Sequence, residues 1–208
     1  MKRYVQYGCG FSAPDEWINY DASPTLKFER MPILGKIYTR NSQRFPKNVK
    51  YGDIVKGLPE MNDSCDGVYC SHILEHLAYQ DFLKALKNTY LILKPNGIFR
   101  CVLPNLHSSI KNYITNYDQI EEPAHEFMRS TMLGIEKREG GITGLTKSLF
   151  GNSKHLWMWD DKTLTSELKK VGFRQIRKAK FDDSSDPHFS LVEEENRFYG
   201  SVALECIK

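Results

Sequence analysis

Three sets of side chains in this sequence have types and spacings suited to chemistry. They are acids that end short apolar runs, glycines at a strand end, and a few histidines. Asp21 closes the run Trp17-Ile18-Asn19-Tyr20-Asp21, and Asp53 closes Val49-Lys50-Tyr51-Gly52-Asp53 just before Ile54. A carboxylate at a strand tip accepts hydrogen bonds from two hydroxyls at once, as the diol of a ribose requires. Ahead of both acids, Tyr4-Val5-Gln6-Tyr7-Gly8-Cys9-Gly10 reads as a strand running into a glycine turn. Without a Cβ, such a turn lets a ligand approach the backbone closely. Together these features predict a nucleoside-containing cofactor at the carboxyl edge of an α/β sheet. His72, His155 and His107 come later in the chain. An imidazole titrates near neutrality and is the natural general base for a hydroxyl acceptor.

The elements that must position these residues follow from pattern. Val49–Ile54, Asp66–Ser71 and Ile98–Leu103 read as further strands, the last halted by Pro104. Between the last two, Leu74, Leu77, Phe82, Leu86, Tyr90 and Leu93 recur at helical spacing, and Lys94-Pro95-Asn96-Gly97 reads as the stop. The order predicts a parallel α/β sheet. Residues 105–161 are less regular, with helices expected over Asn105–Asn116 and Ala124–Arg138 and a glycine-rich loop over Gly140–Gly151. A long irregular stretch of this kind is expected to be a lid or substrate platform. The aromatic cluster His155-Leu156-Trp157-Met158-Trp159-Asp160 closes it, as packing on the core or as substrate contact. A helix capped by Asp160 or Asp161 and ended by Gly172 follows, then strands over Phe173–Phe181 and Gly200–Ile207, read as an antiparallel hairpin at the sheet edge. One domain over 1–208 is expected.

Composition narrows the function classes. The 208 residues carry a formal net charge of +3, too small to argue nucleic-acid or membrane binding. Five cysteines without a C-x-x-C pair read as free buried thiols of a reducing compartment. No apolar stretch has the length of a signal peptide or membrane span, so a cytoplasmic location is expected. From Lys27 to Lys50 seven basic residues face only Glu29. This segment is either a solvated surface or an electropositive wall for an anionic, for instance phosphorylated, substrate. Pro32 and Pro46 exclude one unbroken helix across it.

Gly8-Cys9-Gly10-Phe11-Ser12-Ala13 formally matches the dinucleotide pattern G-x-G-x-x-G/A. That pattern needs a helix whose N-terminus holds the pyrophosphate. Here Pro14 follows Ala13 at once, and Asp21 comes 11 positions after Gly10 (21 − 10). That gap is too short for a helix, its return and a strand, so a nucleoside without phosphates is preferred. At this point the chain resembles the class I S-adenosylmethionine-dependent methyltransferases, most closely a small bacterial branch often linked to polysaccharide and cell-surface biosynthesis. The resemblance rests on Tyr7–Gly10, Trp17–Asp21, Tyr51–Ile54 with Gly57-Leu58-Pro59, Asp66–Leu77, Leu93–Gly97 and Val171-Gly172-Phe173, in that order.

The resemblance implies a Rossmann-like α/β fold, a mainly parallel seven-stranded sheet with the last strand antiparallel, flanked by helices. It implies that Tyr7, Gly8, Cys9 and Gly10 pass under the methionine and ribose, with Asp21 and Ala22 at the ribose. Asp53 and Ile54 would meet the adenine, and Cys70, Ser71 and His72 would border the sulfonium. The usual first helix is drastically shortened, which leaves the cofactor's amino-acid end less enclosed. His72 is the first candidate base, then His155, then His107. His72-Ile73-Leu74-Glu75-His76 also spells the H-x-x-E-H pattern of inverted zinc proteases. That chemistry needs the motif within one helix, and His72 falls at a strand end. Glu75 and His76 are read as structural, and no resident metal is assigned. Cys70-Ser71-His72 is unlike the Asn/Asp-Pro-Pro-aromatic turn of amino-group DNA methyltransferases. The expected activity is O-methylation of a small-molecule or glycan acceptor. The alternatives are a non-catalytic cofactor-binding scaffold and a protein or RNA methyltransferase.

Overall fold

Seven strands of the computed structural model, which describes residues 2–32, 43–136 and 154–208, hydrogen-bond into one sheet. They are β1 (Tyr4–Tyr7), β2 (Ile18–Asp21), β3 (Val49–Tyr51), β4 (Cys65–Ser71), β5 (Leu93–Pro104), β6 (Arg174–Lys178) and β7 (Ser201–Ile207). The order across the sheet is β3-β2-β1-β4-β5-β7-β6. Strands β1 to β5 pair in parallel, and β7 runs antiparallel to both β5 and β6. The expected hairpin therefore forms, with its second strand slotted inside β6 and not at the edge. The helices are α1 (Pro24–Glu29), α2 (Tyr79–Ile92), α3 (Leu106–Asn116), α4 (Pro123–Ser130) and α5 (Asp161–Val171).

The two faces of the sheet are covered differently. On one, Val5, Tyr7, Val68, Cys70, Phe99 and Cys101 pack against Phe82 and Leu86 of α2 and Leu164 and Leu168 of α5. On the other, Tyr4, Tyr69, Val102 and Ala203 pack with Trp17, Phe189 and Val192. Phe189 and Val192 belong to the connection from β6 to β7, which holds two short 3-10 turns, Pro187–Leu191 and Glu195–Phe198. The first helix, expected to be drastically shortened, is absent altogether, since no helix lies between β1 and β2. The β6–β7 connection covers the face instead. Trp17 Nε1 donates to the His188 carbonyl at 3.1 Å, and the Tyr4 hydroxyl donates to Asp186 at 2.6 Å.

A loop in place of a helix must find partners for its own carbonyls. Gln6 and Asn19, adjacent in register on β1 and β2, supply them from buried positions. Gln6 Nε2 donates to the Ser12 carbonyl at 2.8 Å and to Asn19 Oδ1 at 2.6 Å. Asn19 Nδ2 donates to the carbonyls of Pro14 and Trp17, both at 2.9 Å. Two strand amides thus satisfy the carbonyls of the loop between β1 and β2.

Three expected boundaries moved. Leu74–His76 is a single 3-10 turn and α2 begins only at Tyr79, because Leu77 and Ala78 are extended. The helix also ends without Lys94-Pro95-Asn96-Gly97, which lies inside β5. Its terminal carbonyls at Leu91 and Ile92 are taken by the backbone N–H groups of Asp63 and Ser64, each at 2.9 Å, so no glycine cap is needed. The helix expected over Ala124–Arg138 is α4, ending at Ser130. The loop Gly140–Gly151 lies outside the described residues. Gly172 ends α5 as expected, with φ +118°.

Candidate active site

The glycine turn sits at the carboxyl end of β1. Gly8 has φ +67°, and a Cβ there would stand 2.1 Å from Ile73 Cδ1, so glycine is required on both backbone and packing grounds. Asp21, at the tip of β2, is only 7 % exposed. Its Oδ2 accepts from the Gly10 N–H at 3.1 Å and its Oδ1 from the Ser23 N–H at 2.7 Å. Each oxygen keeps lone-pair capacity for a further donor. The Asp21 carbonyl accepts from Gly52 N at 3.1 Å, which ties the tip of β3 to the same edge. There Asp53 Oδ1 accepts from Val55 N at 3.0 Å and its Oδ2 lies 3.4 Å from Lys56 Nζ. Ile54 is buried beside it, and its carbonyl accepts from Asn88 at 2.7 Å. Ala22 is exposed on the rim.

Tyr7, Gly8, Cys9 and Ser71 line a narrow cleft of about 20 Å³, closed from above by Val192, Glu194 and Arg197 of the β6–β7 connection. The Tyr7 and Cys70 side chains turn into the core, where the Tyr7 hydroxyl accepts from Thr89 at 3.2 Å. All five cysteines are free and buried, as expected. Burial first, and then the charge of Asp21, pushes the Cys9 thiol up to about 12, so it stays protonated and is no nucleophile.

Two of the three candidate histidines meet at one acid. His72 follows β4 with φ +54°, its N–H donating to the Val102 carbonyl at 2.8 Å. Its Nε2 lies 2.9 Å from the Arg197 carbonyl and 3.4 Å from Ser201 Oγ, and its Nδ1 lies 3.5 Å from Glu75 Oε1. Glu75 Oε1 is also 3.8 Å from His76 Nε2 and 3.8 Å from His155 Nε2. The Glu75 side chain is fully buried, and burial pushes its carboxyl up to about 8. Burial likewise lowers His72, His76 and His155 below the ordinary imidazole range, His155 further through the neighbouring His76. His155 is held in place by its segment, since Leu156 and Trp157 N–H groups both donate to the Glu75 carbonyl, at 2.8 and 3.1 Å. Trp159 stacks on Phe82 with centroids 4.0 Å apart, whereas Trp157 is half exposed. The aromatic cluster is therefore core at Trp159. His107 stands apart and exposed, its N–H capped by Asn105 at 3.0 Å.

Glu75, His76, Arg197 and Ser201 were not among the expected site residues. Glu75 and His76 had a signal, the H-x-x-E-H pattern from His72 to His76 read above as structural, but Arg197 and Ser201 reach His72 only through tertiary packing. Of the basic segment, Arg30 donates to the carbonyls of Pro46 and Val49 at 2.6 and 3.2 Å, and Lys27 lies 5.4 Å over the Tyr51 ring. Lys36 and Arg40 lie outside the described residues. A cavity of about 320 Å³ between α3 and α4 is lined by Ser108, Ser109, Asn112, Tyr113, Ser130 and Gly200 among others, and Gly200 is the chain neighbour of Ser201.

A methyltransferase-domain family model matches residues 8–178. The chain belongs to this family, and the enzyme transfers a methyl group from S-adenosylmethionine. No curated protein matches the sequence. Solved structures share the fold. An S-adenosylmethionine-dependent methyltransferase from Archaeoglobus fulgidus is 17 % identical with TM-score 0.51, over 100 % of this chain and 86 % of that one. One from Thermotoga maritima is 18 % identical with TM-score 0.52, over 100 % and 83 %. The Haemonchus contortus phosphoethanolamine N-methyltransferase 2, solved with phosphomonomethylethanolamine and S-adenosylhomocysteine, is 12 % identical with TM-score 0.50, over 100 % of this chain and 48 % of that one.

Proposed function

We propose that the enzyme methylates a hydroxyl oxygen of a small-molecule or glycan acceptor, in the cytoplasm and in the service of polysaccharide or cell-surface biosynthesis. The observation that carries the acceptor class is the cavity lined by hydroxyls and amides of Ser108, Ser109, Asn112 and Ser130. It adjoins Ser201, whose Oγ is 3.4 Å from His72 Nε2. Tyr113, Ile120, Pro123 and Phe127 line the same cavity. This mixture of polar and apolar groups suits a sugar ring, whose edges carry hydroxyls and whose faces are apolar. Five buried free thiols are consistent with a reducing compartment.

In this reading Gly8, Cys9 and Gly10 floor the cofactor, Asp21 binds the ribose diol through the free lone pairs of both oxygens, and Asp53 and Ile54 border the adenine. Ser71 and the backbone of Cys70 face the sulfonium. A cleft of about 20 Å³ holds about one water. In this reading the sulfonium end of the cofactor enters as the Val192–Arg197 turn withdraws, and that withdrawal frees His72 Nε2 from the Arg197 carbonyl. The acceptor oxygen attacks the methyl carbon in line with the departing sulfur. Once the Arg197 carbonyl has withdrawn, the His72 ring proton resides on Nδ1, which faces Glu75 Oε1, and Nε2 presents its lone pair. The carbon–oxygen bond then forms as the carbon–sulfur bond breaks, and the acceptor proton passes to His72 Nε2. Orientation supplies most of the acceleration, with the base adding roughly 10²–10⁴-fold.

The test is incubation with methyl-labelled S-adenosylmethionine against panels of hydroxylated sugars, phosphorylated polyols, amines, RNA and protein. Label in an acid- and base-stable ether on a sugar or polyol is expected, with His72→Ala lowering turnover and leaving cofactor affinity within a few fold. Label on amines or RNA alone would overturn the hydroxyl reading. Tight cofactor binding without turnover on any panel would favour the scaffold alternative.

A further inference from the structure

We infer that Glu75, His76 and His155 form a site for one divalent transition-metal ion of the zinc class. One ligand atom from each residue lies within 4.8 Å of the other two. Glu75 Oε1 is 3.8 Å from both His76 Nε2 and His155 Nε2. A tetrahedral ion with bonds of about 2.1 Å sets neighbouring donors roughly 3.4 Å apart. Shifts of no more than about 0.7 Å at each side chain would close the triad on an ion.

Two independent observations point to a ligand. The first is the unmet demand of the acid. Glu75 is fully buried, and neither Oε1 nor Oε2 makes a hydrogen bond. A buried carboxylate without donors is costly and calls for an explanation. Among the described residues no lysine or arginine forms an ion pair with it. The second is the orientation of His76. Its Nδ1 faces the Lys154 carbonyl at 2.9 Å, which places the ring proton there and leaves the Nε2 lone pair turned to Glu75. A ring whose outer N–H is held by a backbone carbonyl is the usual support of a metal-binding imidazole.

Two imidazoles with one carboxylate suit zinc and its first-row neighbours, whereas magnesium and calcium prefer oxygen alone. Three protein ligands leave a coordination position for water or for an oxygen of the acceptor. The ion would join the turn after β4 to the segment leading into α5, two pieces of chain 80 positions apart (155 − 75). His72 is not needed for the ligand set, which keeps this inference separable from the assignment of the base.

The experiment is equilibrium dialysis of the chelator-stripped full chain against Zn²⁺ and Co²⁺, read by elemental mass spectrometry and by the visible spectrum of the cobalt form. About one ion per chain is expected, with intense visible bands of low-symmetry cobalt. Glu75→Gln, His76→Ala and His155→Ala should each weaken binding at least tenfold, whereas His72→Ala should bind as wild type does. S-adenosylhomocysteine calorimetry on the same samples reports the cofactor site separately, so loss of that binding would count against the methyltransferase roles and not against the metal. Wild-type protein that retains no ion, shows only the weak spectrum of aqueous cobalt, or binds as well with the triad broken would overturn the site. The cobalt spectrum of wild type decides even where a variant fails to fold.

Discussion

Two buried acid clusters lie in this molecule, and they handle charge in opposite ways. Under the β6–β7 connection, fully buried Arg100 contacts Glu193 through Nε, and its Nη1 donates to Asp183 and Glu205 at 2.9 and 3.0 Å. Its Nη2 donates to the Lys180 carbonyl at 2.5 Å. Every carboxylate there meets a cation supplied by the chain. At the end of β4, Glu75 is equally buried but is surrounded by imidazoles that burial keeps neutral. The first cluster is a strut that fastens a loop over a sheet face lacking its helix. The second has geometry for a charge that comes from outside. The first cluster is complete within the chain, whereas the carboxyl oxygens of Glu75 lack hydrogen-bond partners.

The comparison breaks most visibly at Arg100. Arg100→Ala would leave Glu193 and Glu205 buried without their cation, and a loss of about 3–5 kcal/mol is expected. Urea unfolding monitored by tryptophan fluorescence measures it. An unchanged midpoint would show that the cluster is not a strut.

A smaller effect is expected in acid. Asp186 anchors the same connection, its side chain 12 % exposed. Burial alone would raise its pKa, but hydrogen bonds from the Tyr4 hydroxyl and from the His188 backbone and ring bring it down to about 2. A depressed carboxylate stabilises the fold above its unfolded value of about 3.8 and loses that contribution as pH falls towards 2. The contribution is roughly 2 kcal/mol. Asp186→Asn should flatten the stability profile between those limits, and an identical acid limb in the two proteins would contradict the assignment.

The smallest effect belongs to the second cluster. In chelated protein, Glu75→Gln removes an acid that has no donor while keeping its shape, so a stability change below about 1 kcal/mol is expected. A loss as large as that of Arg100→Ala would make Glu75 a strut as well.

The placement of the glycine turn and the two acids at the carboxyl ends of β1, β2 and β3 was legible in the sequence. Asp21 and Asp53 each end an apolar strand run, and Pro14 with the short gap to Asp21 excludes a phosphate-binding helix. What replaces that helix was not legible. Gln6 and Asn19 look like ordinary strand polar residues until register sets them side by side. Phe189 covers β1 only because β7 returns between β5 and β6. The start of α2 was misread because Leu74 and Leu77 keep helical spacing across an extended break. The meeting of Glu75 with His155 depends on contacts between segments that no local pattern links.

The central claim is that Asp21 binds the cofactor's ribose at the glycine turn. Calorimetric titration of S-adenosylhomocysteine into wild type and Asp21→Ala tests it most directly. Loss of charge-assisted hydrogen bonds worth about 1.5–3 kcal/mol should weaken binding roughly 10- to 100-fold. Equal affinities in the two proteins would contradict the account.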